Sequence, residues 1–325
     1  MTQPSTKFLI TGTGGFIGSH LVEALARNKD TQIFAYDRKE FGFKLDNVRE
    51  FVVDLRKPMS FPDVDYVIHL AAFNGTKHFY TKSYDVIKDN ILPTLNLLDY
   101  FKDKDIKRFI YSGTPESTVV STEYFNYPLP TDEKAPIGVI DVTNKRWSYA
   151  NSKALGEQAV VASDLPYTII RPNNIYGPRQ VDHFISEFYD RVCKKEYSLY
   201  GYKNTRTFLY IDDFIEAMKR VIWHPGALNQ IFNIGGEEET TIQEVAETIL
   251  KLMNKTDVKL ELHDAPEGST MRRWPDVGKL KALTSWEQTV SLEQGLEKTL
   301  NLEGYTLMNY LDELDVLQGI KGEDV

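Results

Sequence analysis

The chain has 325 residues, 42% of them hydrophobic, and a formal net charge of −9. This length suits two domains or one large domain with an appendage, and the hydrophobic content is ample for a core. No block of lysine and arginine indicates a nucleic-acid partner, and no apolar run is long enough to span a membrane. The first residues lack the pattern of a secretory signal, so we expect a cytoplasmic protein. Cys193, the single cysteine, excludes an internal disulfide and is expected to be a structural thiol.

The segment KFLITGTGGFIGSH, near the start of the chain, combines a strand pattern, a glycine turn and a helix pattern. Residues 8–10 form the short apolar run of a buried parallel strand, and residues 16–26 carry apolar side chains at helical spacing. In such a turn, backbone N–H groups and the helix N-terminus meet a pyrophosphate, and the glycines permit the close approach. We therefore expect a dinucleotide to contact Gly12, Gly15, Phe16, Ile17 and Gly18.

Carboxylates follow the next two predicted strands. A strand at Ile33–Tyr36 leads into Asp37, near the spacing at which an acid takes the adenosine ribose hydroxyls. An acid here repels a 2′-phosphate, so the sequence favours NAD over NADP, although the adjacent Arg38 acts in the opposite sense. The run FVVDLR places Asp54 and Leu55 after another apolar stretch, where the carboxylate would accept from the adenine amino group.

Apolar runs and helical segments alternate through the first half of the chain. The strands YVIHLAA and RFIYSG flank a helix through Val86 to Leu98, and the helix SYANSKALGEQAVVAS precedes the strand YTIIRP. This alternation predicts right-handed β-α-β units and therefore an α/β, Rossmann-type doubly wound parallel sheet. Leu70, Ala71 and Ala72 end one strand, where small residues allow a cofactor near the backbone.

Two later regions depart from the alternation. The stretch Pro115–Trp147 is rich in proline and polar residues, which predicts a long loop near the active site. Farther on, loops and short helices dominate, and the segment QIFNIGG has the pattern of a strand that rejoins the sheet. We expect a dinucleotide-binding domain at 1–172 and a mainly substrate-binding, smaller C-terminal lobe at 173–325, with the chain returning to the sheet around 205–236.

Together these motifs resemble the extended short-chain dehydrogenase/reductase family, the NAD-dependent nucleotide-sugar epimerases and dehydratases. The matching segments occur in family order over nearly the whole chain: TGTGGFIG, HLAA, RFIYSGT, RPNNIYGP, TRTFLYIDD and RRWPDVGKLKAL. The resemblance implies an enzyme that oxidises carbon 4 of a nucleoside-diphosphate sugar to a 4-keto species with NAD. It also implies a homodimer, formed through the helices Val86–Phe101 and Ser148–Ala162.

Tyr149 and Lys153 lie four residues apart on one predicted helix, so their side chains share a face. A tyrosine hydroxyl, with a pKa of about 10, is a poor base until a lysine cation and the positive nicotinamide ring lower that value. In the resembled family this tyrosine removes the proton from a sugar hydroxyl, and the lysine also holds the nicotinamide ribose. The resemblance places the hydroxyl of Thr114, or alternatively of Ser112, on the same substrate oxygen.

Glu116 follows Thr114 by two residues. Dehydratases and decarboxylases of the family often have Thr-x-Glu here, and the glutamate moves a proton at carbon 5 or steers decarboxylation. This chain departs from the glucose-type dehydratases, because their middle residue is an acid whereas here it is Pro115. The family's usual Val-Tyr-Gly is also replaced, by STVVST. Glu116 is therefore either catalytic or a solvated loop residue.

Several residues of the second half match family positions that bind the sugar nucleotide. The resemblance assigns Asn174 to the diphosphate, together with Arg206 and either Arg272 or Arg273, and guanidinium groups suit phosphate in both charge and geometry. Asp212–Asp213 are expected to cap the helix that follows. The six histidines show no ligand pairing, so no metal site is expected.

The fate of the 4-keto intermediate decides the net reaction. The tail RRWPD resembles UDP-glucuronate decarboxylases, whereas AAFNGTKHFYTKSYDVIKDN is closer to GDP-sugar epimerases. We predict an epimerase, with a 4,6-dehydratase, a decarboxylase or a net 4-dehydrogenase as alternatives. A non-catalytic NAD-binding scaffold is the alternative from a different class, and the intact set of Tyr149, Lys153 and Thr114 argues against it.

Overall fold

In the computed structural model, which describes residues 5–139, 141–181, 183–265 and 269–300, strands and helices alternate through the first half of the chain. The elements of this half are β1 (Thr6–Thr11), α1 (Phe16–Ala26), β2 (Thr31–Asp37), β3 (Val48–Val52), β4 (Tyr66–His69), α2 (Thr76–Thr81), α3 (Ser83–Phe101), β5 (Arg108–Ser112), α4 (Val119–Phe125), α5 (Ser148–Ala162) and β6 (Tyr167–Asn173).

Elements of the second half are mostly shorter. They are β7 (Ile175–Tyr176), α6 (Phe184–Cys193), β8 (Ser198–Tyr200), β9 (Thr205–Thr207), β10 (Leu209–Tyr210), α7 (Ile211–Trp223), β11 (Gln230–Gly235), β12 (Glu239–Thr241), α8 (Ile242–Leu252), β13 (Glu261–His263), β14 (Arg272–Arg273), α9 (Gly278–Thr284) and α10 (Leu292–Leu300). Residues 301–325 of the expected smaller lobe lie outside the described residues, and the division into two lobes stays a prediction.

Seven strands form one sheet in the order β3-β2-β1-β4-β5-β6-β11. Every neighbouring pair is parallel, so the predicted doubly wound Rossmann-type sheet is confirmed. The last strand, β11, comes from the second half of the chain and pairs with β6, as the pattern of QIFNIGG predicted. Strand order reverses between β1 and β4, and a crevice at the carboxyl ends of the strands at such a reversal is where ligands bind in this architecture.

Strand β1 is buried on both faces, which explains its unbroken apolar sequence. Phe8 and Ile10 belong to one apolar cluster that includes Val221 of α7, while Leu9 belongs to a second that includes Leu97 of α3. All five side chains are fully buried, and burying each contributes about 2 kcal/mol. Packing from both sides therefore fixes β1, and with it the glycine turn at its end.

The prediction of one continuous loop from Pro115 to Trp147 is wrong. A 3₁₀ helix at Pro115–Thr118 leads directly into α4, and another at Lys145–Trp147 precedes α5. The hydroxyl of Thr114 accepts the backbone N–H of Glu116 at 3.3 Å, and Pro115 occupies the first helical position, where no N–H is needed. The N-cap Thr114 and the following Pro115 therefore start a helix in a stretch whose polar composition had indicated a loop.

Asp213 is structural, but the helix-capping role predicted for it is wrong. Helix α7 begins at Ile211, and Asp213 lies inside its first turn, where it is buried. Its carboxylate accepts the backbone N–H groups of Thr289 and Val290, at 3.0 and 2.9 Å, and the hydroxyl of Thr289. Asp213 therefore ties the segment before α10 to α7.

Three small sheets accompany the large one. One of them has the order β12-β9-β14, and its register places Arg273 opposite Arg206 and Arg272 opposite Thr205. This pairing brings together the arginine-containing segments that the sequence assigned to substrate. Within the described ranges, no helix is long and apolar enough to cross a membrane, and no cluster of three or more His, Cys, Asp or Glu residues is arranged to hold a metal ion.

Candidate active site

At the end of β1, Gly12 and Gly18 pack so closely against the backbone that neither leaves room for a side chain. Gly12 has a φ of +77°, and a Cβ there would lie 2.6 Å from the nitrogen of Ala71. A Cβ on Gly18 would lie 2.0 Å from the carbonyl oxygen of Gly12, so α1 can approach the turn only without one. Helix α1 starts after Gly15 with no side-chain cap and no acid in its first turn. Its first N–H groups can therefore serve an anion, as a dinucleotide pyrophosphate requires.

Asp37 and Asp54, the two acids predicted to bind the adenosine part of the cofactor, have different hydrogen-bond partners. One carboxylate oxygen of Asp37 accepts the N–H of Gly14 at 2.9 Å, and the other accepts the N–H of Arg38 at 2.6 Å. Asp37 is therefore fixed beside the glycine turn. Asp54 pairs instead with Arg56 at 2.6 Å, and hydrogen bonds from that guanidinium lower the pKa of Asp54 to about 2.

The other predicted cofactor residues follow the strands β3 and β4 or begin α1. The N–H groups of Leu70 and Ala71 are held by the carbonyl and hydroxyl oxygens of Thr11, each at 3.2 Å. The side chain of Leu55 is buried in the core, so only its backbone can face a ligand. The parallel strand order places these positions at the carboxyl edge of the sheet, and their contact with a cofactor stays a prediction: Phe16, Ile17, Leu55, Leu70, Ala71 and Ala72.

Tyr149 and Lys153 are both buried on α5. The ring of Tyr149 stacks on Phe79, with 4.9 Å between centroids and 12° between planes. The side chain of Thr114, whose hydroxyl is the first of the two proposed from the sequence, lies near enough to Tyr149 to oppose the effect of burial on the tyrosine pKa. The ammonium of Lys153 lies 4.4 Å from the ring centroid of Tyr111. The structure therefore brings the proton-transfer pair and its hydroxyl partner together.

Burial dominates the titration of this pair. It raises the pKa of Tyr149 above its ordinary value, and the charge of Glu116 raises it further, while the nearby side chain of Thr114 opposes both effects. Burial also lowers the pKa of Lys153 to about 7, against the opposing charge of Glu157 one turn along the helix. Tyr149 therefore needs a further positive charge nearby to act as a base at neutral pH, and an oxidised nicotinamide ring carries one.

Glu116 lies between two guanidinium groups, and we call Glu116, Arg146 and Arg273 the arginine cluster. Arg273 contacts one carboxylate oxygen at 2.5 Å, and Arg146 contacts the other at 3.3 Å. Burial alone would raise the pKa of Glu116, but the charges of Arg273, Arg146 and Arg206 outweigh it and hold that pKa below its ordinary value. With a side chain only 16% exposed, Glu116 is an ionised, enclosed group and not a solvated loop residue.

The structure separates the neighbouring arginines of β14. Arg273 faces Glu116, whereas Arg272 points the other way and pairs with Glu239 at 2.6 Å, with its side chain 49% exposed. Successive side chains of a strand alternate between faces, so only one of the two can reach the cluster. The guanidinium of Arg206 donates to surrounding backbone carbonyl groups at 2.7 to 3.2 Å, which holds it beside the same segment.

Asn174 forms hydrogen bonds with the backbone on either side of Phe208, close to Arg206. Its amide donates to the carbonyl oxygen of Thr207 at 2.9 Å, and its own carbonyl oxygen accepts the N–H of Leu209 at 3.3 Å. Asn174 thereby links the end of β6 to β9 and β10. The predicted contact between this residue and a diphosphate stays a prediction.

Three residues that contribute to this site were not predicted from the sequence, namely Arg146, Phe79 and Tyr111. Arg146 precedes Tyr149 by three residues, a helical spacing that would have placed it on the same face. Phe79 comes from α2 and Tyr111 from β5, and neither carries a local signal because their contacts with α5 are tertiary. The missed residues therefore supply the stacking partner, the ring beneath the lysine and one cation of the arginine cluster.

A dinucleotide cradle beside a buried tyrosine–lysine pair defines a dehydrogenase of the extended short-chain class. Residues 8–235 match the family model described as the NAD dependent epimerase/dehydratase family, and the chain belongs to that family. It is accordingly an enzyme whose cofactor is NAD, and the uncapped N-terminus of α1 behind the close-packed glycine turn fits the pyrophosphate of that group.

Curated relatives span nearly the whole chain. It is 33% identical over 318 residues to a UDP-N-acetyl-alpha-D-glucosaminuronate decarboxylase from Bacillus cytotoxicus, covering 90% of this chain and 96% of the relative. It is 30% identical over 317 residues to a putative UDP-glucose 4-epimerase from Methanocaldococcus jannaschii, covering 90% and 97%. The crystal structure of a UDP-glucose 4-epimerase with UDP-glucose from Thermotoga maritima matches with a TM-score of 0.79 at 25% identity, covering 91% and 98%. The relatives act on nucleotide sugars, and their net reactions differ.

Proposed function

We propose that this enzyme oxidises carbon 4 of a nucleoside-diphosphate sugar and then returns the hydride to the opposite face, so that the net reaction is epimerisation. The observation that carries the proposal is the pair of buried side chains Tyr149 and Lys153, one turn apart on α5, with the Thr114 side chain near enough to Tyr149 to act on its pKa. Bound NAD supplies the hydride acceptor and, on the return, the hydride donor.

The side chains of this chain account for the proton. Tyr149 removes it from the carbon 4 hydroxyl as the hydride leaves, and returns it to the same oxygen when the hydride comes back. Thr114 hydrogen-bonds that oxygen, and the cation of Lys153 stabilises the phenolate. Because burial raises the pKa of Tyr149, this phenolate forms only while the neighbouring positive charges are in place.

The replacement of an acid by Pro115 argues against 4,6-dehydration. Loss of water needs an acid that protonates the departing hydroxyl. Glu116 is held as a carboxylate by Arg146 and Arg273, and its pKa lies below the ordinary value. Pro115, which replaces the acid of the glucose-type dehydratases, has no proton to give. The site therefore has no acid for this elimination at either position.

The arginine cluster favours decarboxylation as a second candidate. It holds two guanidinium groups for one carboxylate, and Arg273 and Glu116 both act electrostatically on Tyr149, so the excess positive charge lies near the proton-transfer pair. A sugar carboxylate on carbon 5 would complement that charge. Oxidation of carbon 4 turns such a sugar into a β-keto acid, which loses carbon dioxide without an added acid.

Mass spectrometry of products from a panel of UDP-, GDP-, dTDP- and CDP-sugars tests the proposal. An isomer of unchanged mass and altered retention supports epimerisation. Loss of carbon dioxide establishes the second candidate, and loss of water or of two hydrogens rejects both. The absence of any product from every class of sugar nucleotide would favour the non-catalytic scaffold.

We also infer that two copies pair through α3 and α5. These helices pack against each other and expose large apolar side chains to solvent: Tyr84, Leu92 and Leu95 on α3, and Leu155 and Val161 on α5. An apolar surface of this kind on adjoining helices is typical of an interface between copies. Sedimentation equilibrium should give about twice the chain mass of 37.3 kDa, and a mass near 37.3 kDa at working concentration would contradict the dimer.

A further inference from the structure

A network of charged side chains lies beside Asp37, at the predicted adenosine end of the cofactor site. Asp89 on α3 accepts one hydrogen bond on each carboxylate oxygen. Arg38 donates to one oxygen and Arg56 to the other, each at 3.1 Å. Asp54 contacts the same Arg56 at 2.6 Å. We call Arg38, Asp89 and Arg56 the bridging triad, because it joins the ends of β2 and β3 to α3.

The side chain of Asp89 is more deeply buried than the side chains of the two arginines in this triad. The side chain of Asp89 is 8% exposed, against 52% for Arg38 and 34% for Arg56. The adjacent Asn90 is also held, since its amide oxygen accepts the N–H of Phe73 at 2.6 Å and its amide nitrogen donates to Ser152 at 3.0 Å. Asp89 therefore has a fixed place, whereas both guanidinium groups reach it from the solvent side.

This arrangement bears on the choice between NAD and NADP. Arg38 directly follows the acid expected to hold the ribose hydroxyls, and an arginine near that acid is the usual partner of a 2′-phosphate in this architecture. Here Asp89 already forms an ion pair with Arg38, and it forms a second one with Arg56. Together with Asp37 and Asp54, the three side chains of the triad make a set of three acids and two arginines, and the formal charge of −1 on these five side chains disfavours a further anion.

We propose that Asp89 is a specificity-determining residue: by holding Arg38 and Arg56 it withholds both from a 2′-phosphate and keeps the site selective for NAD. It acts through the two arginines and not by contact with the reacting atoms. The inference rests on membership of the NAD-dependent family and is independent of which sugar reaction the enzyme performs.

A competition experiment with Asp89→Asn tests this role, because the substitution removes the charge and keeps the shape. The full chain is incubated with equal excesses of NADH and NADPH, free nucleotide is removed, and the bound dinucleotides are released and quantified by chromatography. We expect the bound ratio of NADPH to NADH to rise about tenfold, since two guanidinium groups become available to the phosphate.

Asp85→Asn is the matched control. Asp85 lies one turn earlier on α3 and, within the described residues, forms an ion pair with Lys88 instead of with the triad, and its variant has the same change in net charge. Its bound ratio should equal that of the unmodified protein. The double variant Asp89→Asn/Arg38→Ala should return the ratio toward the unmodified value.

Three results would overturn the inference: an unchanged ratio in Asp89→Asn, an equal weakening of both dinucleotides, or an equal rise in Asp85→Asn. Asp89→Ser is measured in parallel and should show the same rise, so that a folding defect in one variant does not decide the result.

Discussion

The glycine turn after β1, the proposed cofactor side, and the arginine cluster, the proposed sugar side, are built from different parts of the chain. The turn is made of consecutive backbone, and its requirement is the absence of side chains at Gly12 and Gly18. The arginine cluster is made of charged side chains from segments 30 and 157 residues apart. Close packing therefore governs the proposed cofactor side, whereas charge and strand register govern the proposed sugar side. Substitutions on the two sides should consequently fail in different ways.

The largest expected effect is that of Tyr149→Phe, which removes one hydroxyl from the sugar side. We expect kcat to fall about 10³-fold, because the proton-transfer group is lost while the ring keeps its stacking on Phe79. Thermal unfolding should show an intact fold, and bound NAD should be retained. Tyr200→Phe, the same change at an exposed position of β8, should leave kcat unchanged. Retained turnover in Tyr149→Phe would remove this residue from the mechanism.

Gly18→Ala tests the spatial requirement of the cofactor side. Its Cβ would lie 2.0 Å from the carbonyl oxygen of Gly12, so α1 must shift, at a cost of about 3 kcal/mol in the free energy of unfolding. Denaturant titration and the NAD content of the purified protein provide the measurement. Gly138→Ala, where the nearest atom lies 3.8 Å away, should be nearly neutral. Equal stability of the two variants would show that the close approach is not required.

Arg273→Ala and Arg272→Ala test the charge requirement of the sugar side with adjacent residues of one strand. Arg273→Ala leaves Glu116 with one partner fewer in an enclosed site, so we expect kcat/KM to fall by about 30-fold, or 2 kcal/mol. Arg272 forms a half-exposed ion pair with Glu239, and its loss should cost less than about 1 kcal/mol. Similar kinetics for both variants would contradict the assignment of Arg273 to the site.

Lys153→Met should make the protein more stable while removing its activity. Burial lowers the pKa of Lys153 to about 7 in the folded state, from about 10.4 in the unfolded chain. The buried charge therefore costs stability fully below pH 7, and the cost disappears as the pH rises toward about 10. We expect a gain of about 2 kcal/mol in the free energy of unfolding at pH 6 that shrinks with rising pH. A loss of stability at pH 6, measured in urea, would contradict this.

The comparison also explains which features the sequence could predict. The glycine turn and β1 depend on local patterns, and the structure shows α1 at the predicted residues 16–26. The choice between Arg272 and Arg273 could not be made, because it depends on the register of β14 against β9. Arg146 was hidden at the end of a stretch read as loop.

Longer-range pairs were beyond local patterns altogether. Asp89 contacts Arg38 and Arg56, which lie 51 and 33 positions away in the chain, so the residues next to Asp89 carry no signal that predicts these contacts. The spacing to Thr114 drew attention to Glu116, but its ionised, enclosed state depends on arginines from two other segments. Backbone sites can therefore be predicted from consecutive residues, while charge networks require the tertiary fold.

The most direct test of the account is rapid mixing of the NAD-bound enzyme with a turned-over sugar nucleotide that carries deuterium at carbon 4. The account predicts that the absorbance of reduced nicotinamide appears more slowly than with the unlabelled sugar, and that the label is retained in the epimerised product. Equal rates together with no absorbance of reduced nicotinamide in either sample would contradict hydride transfer from carbon 4.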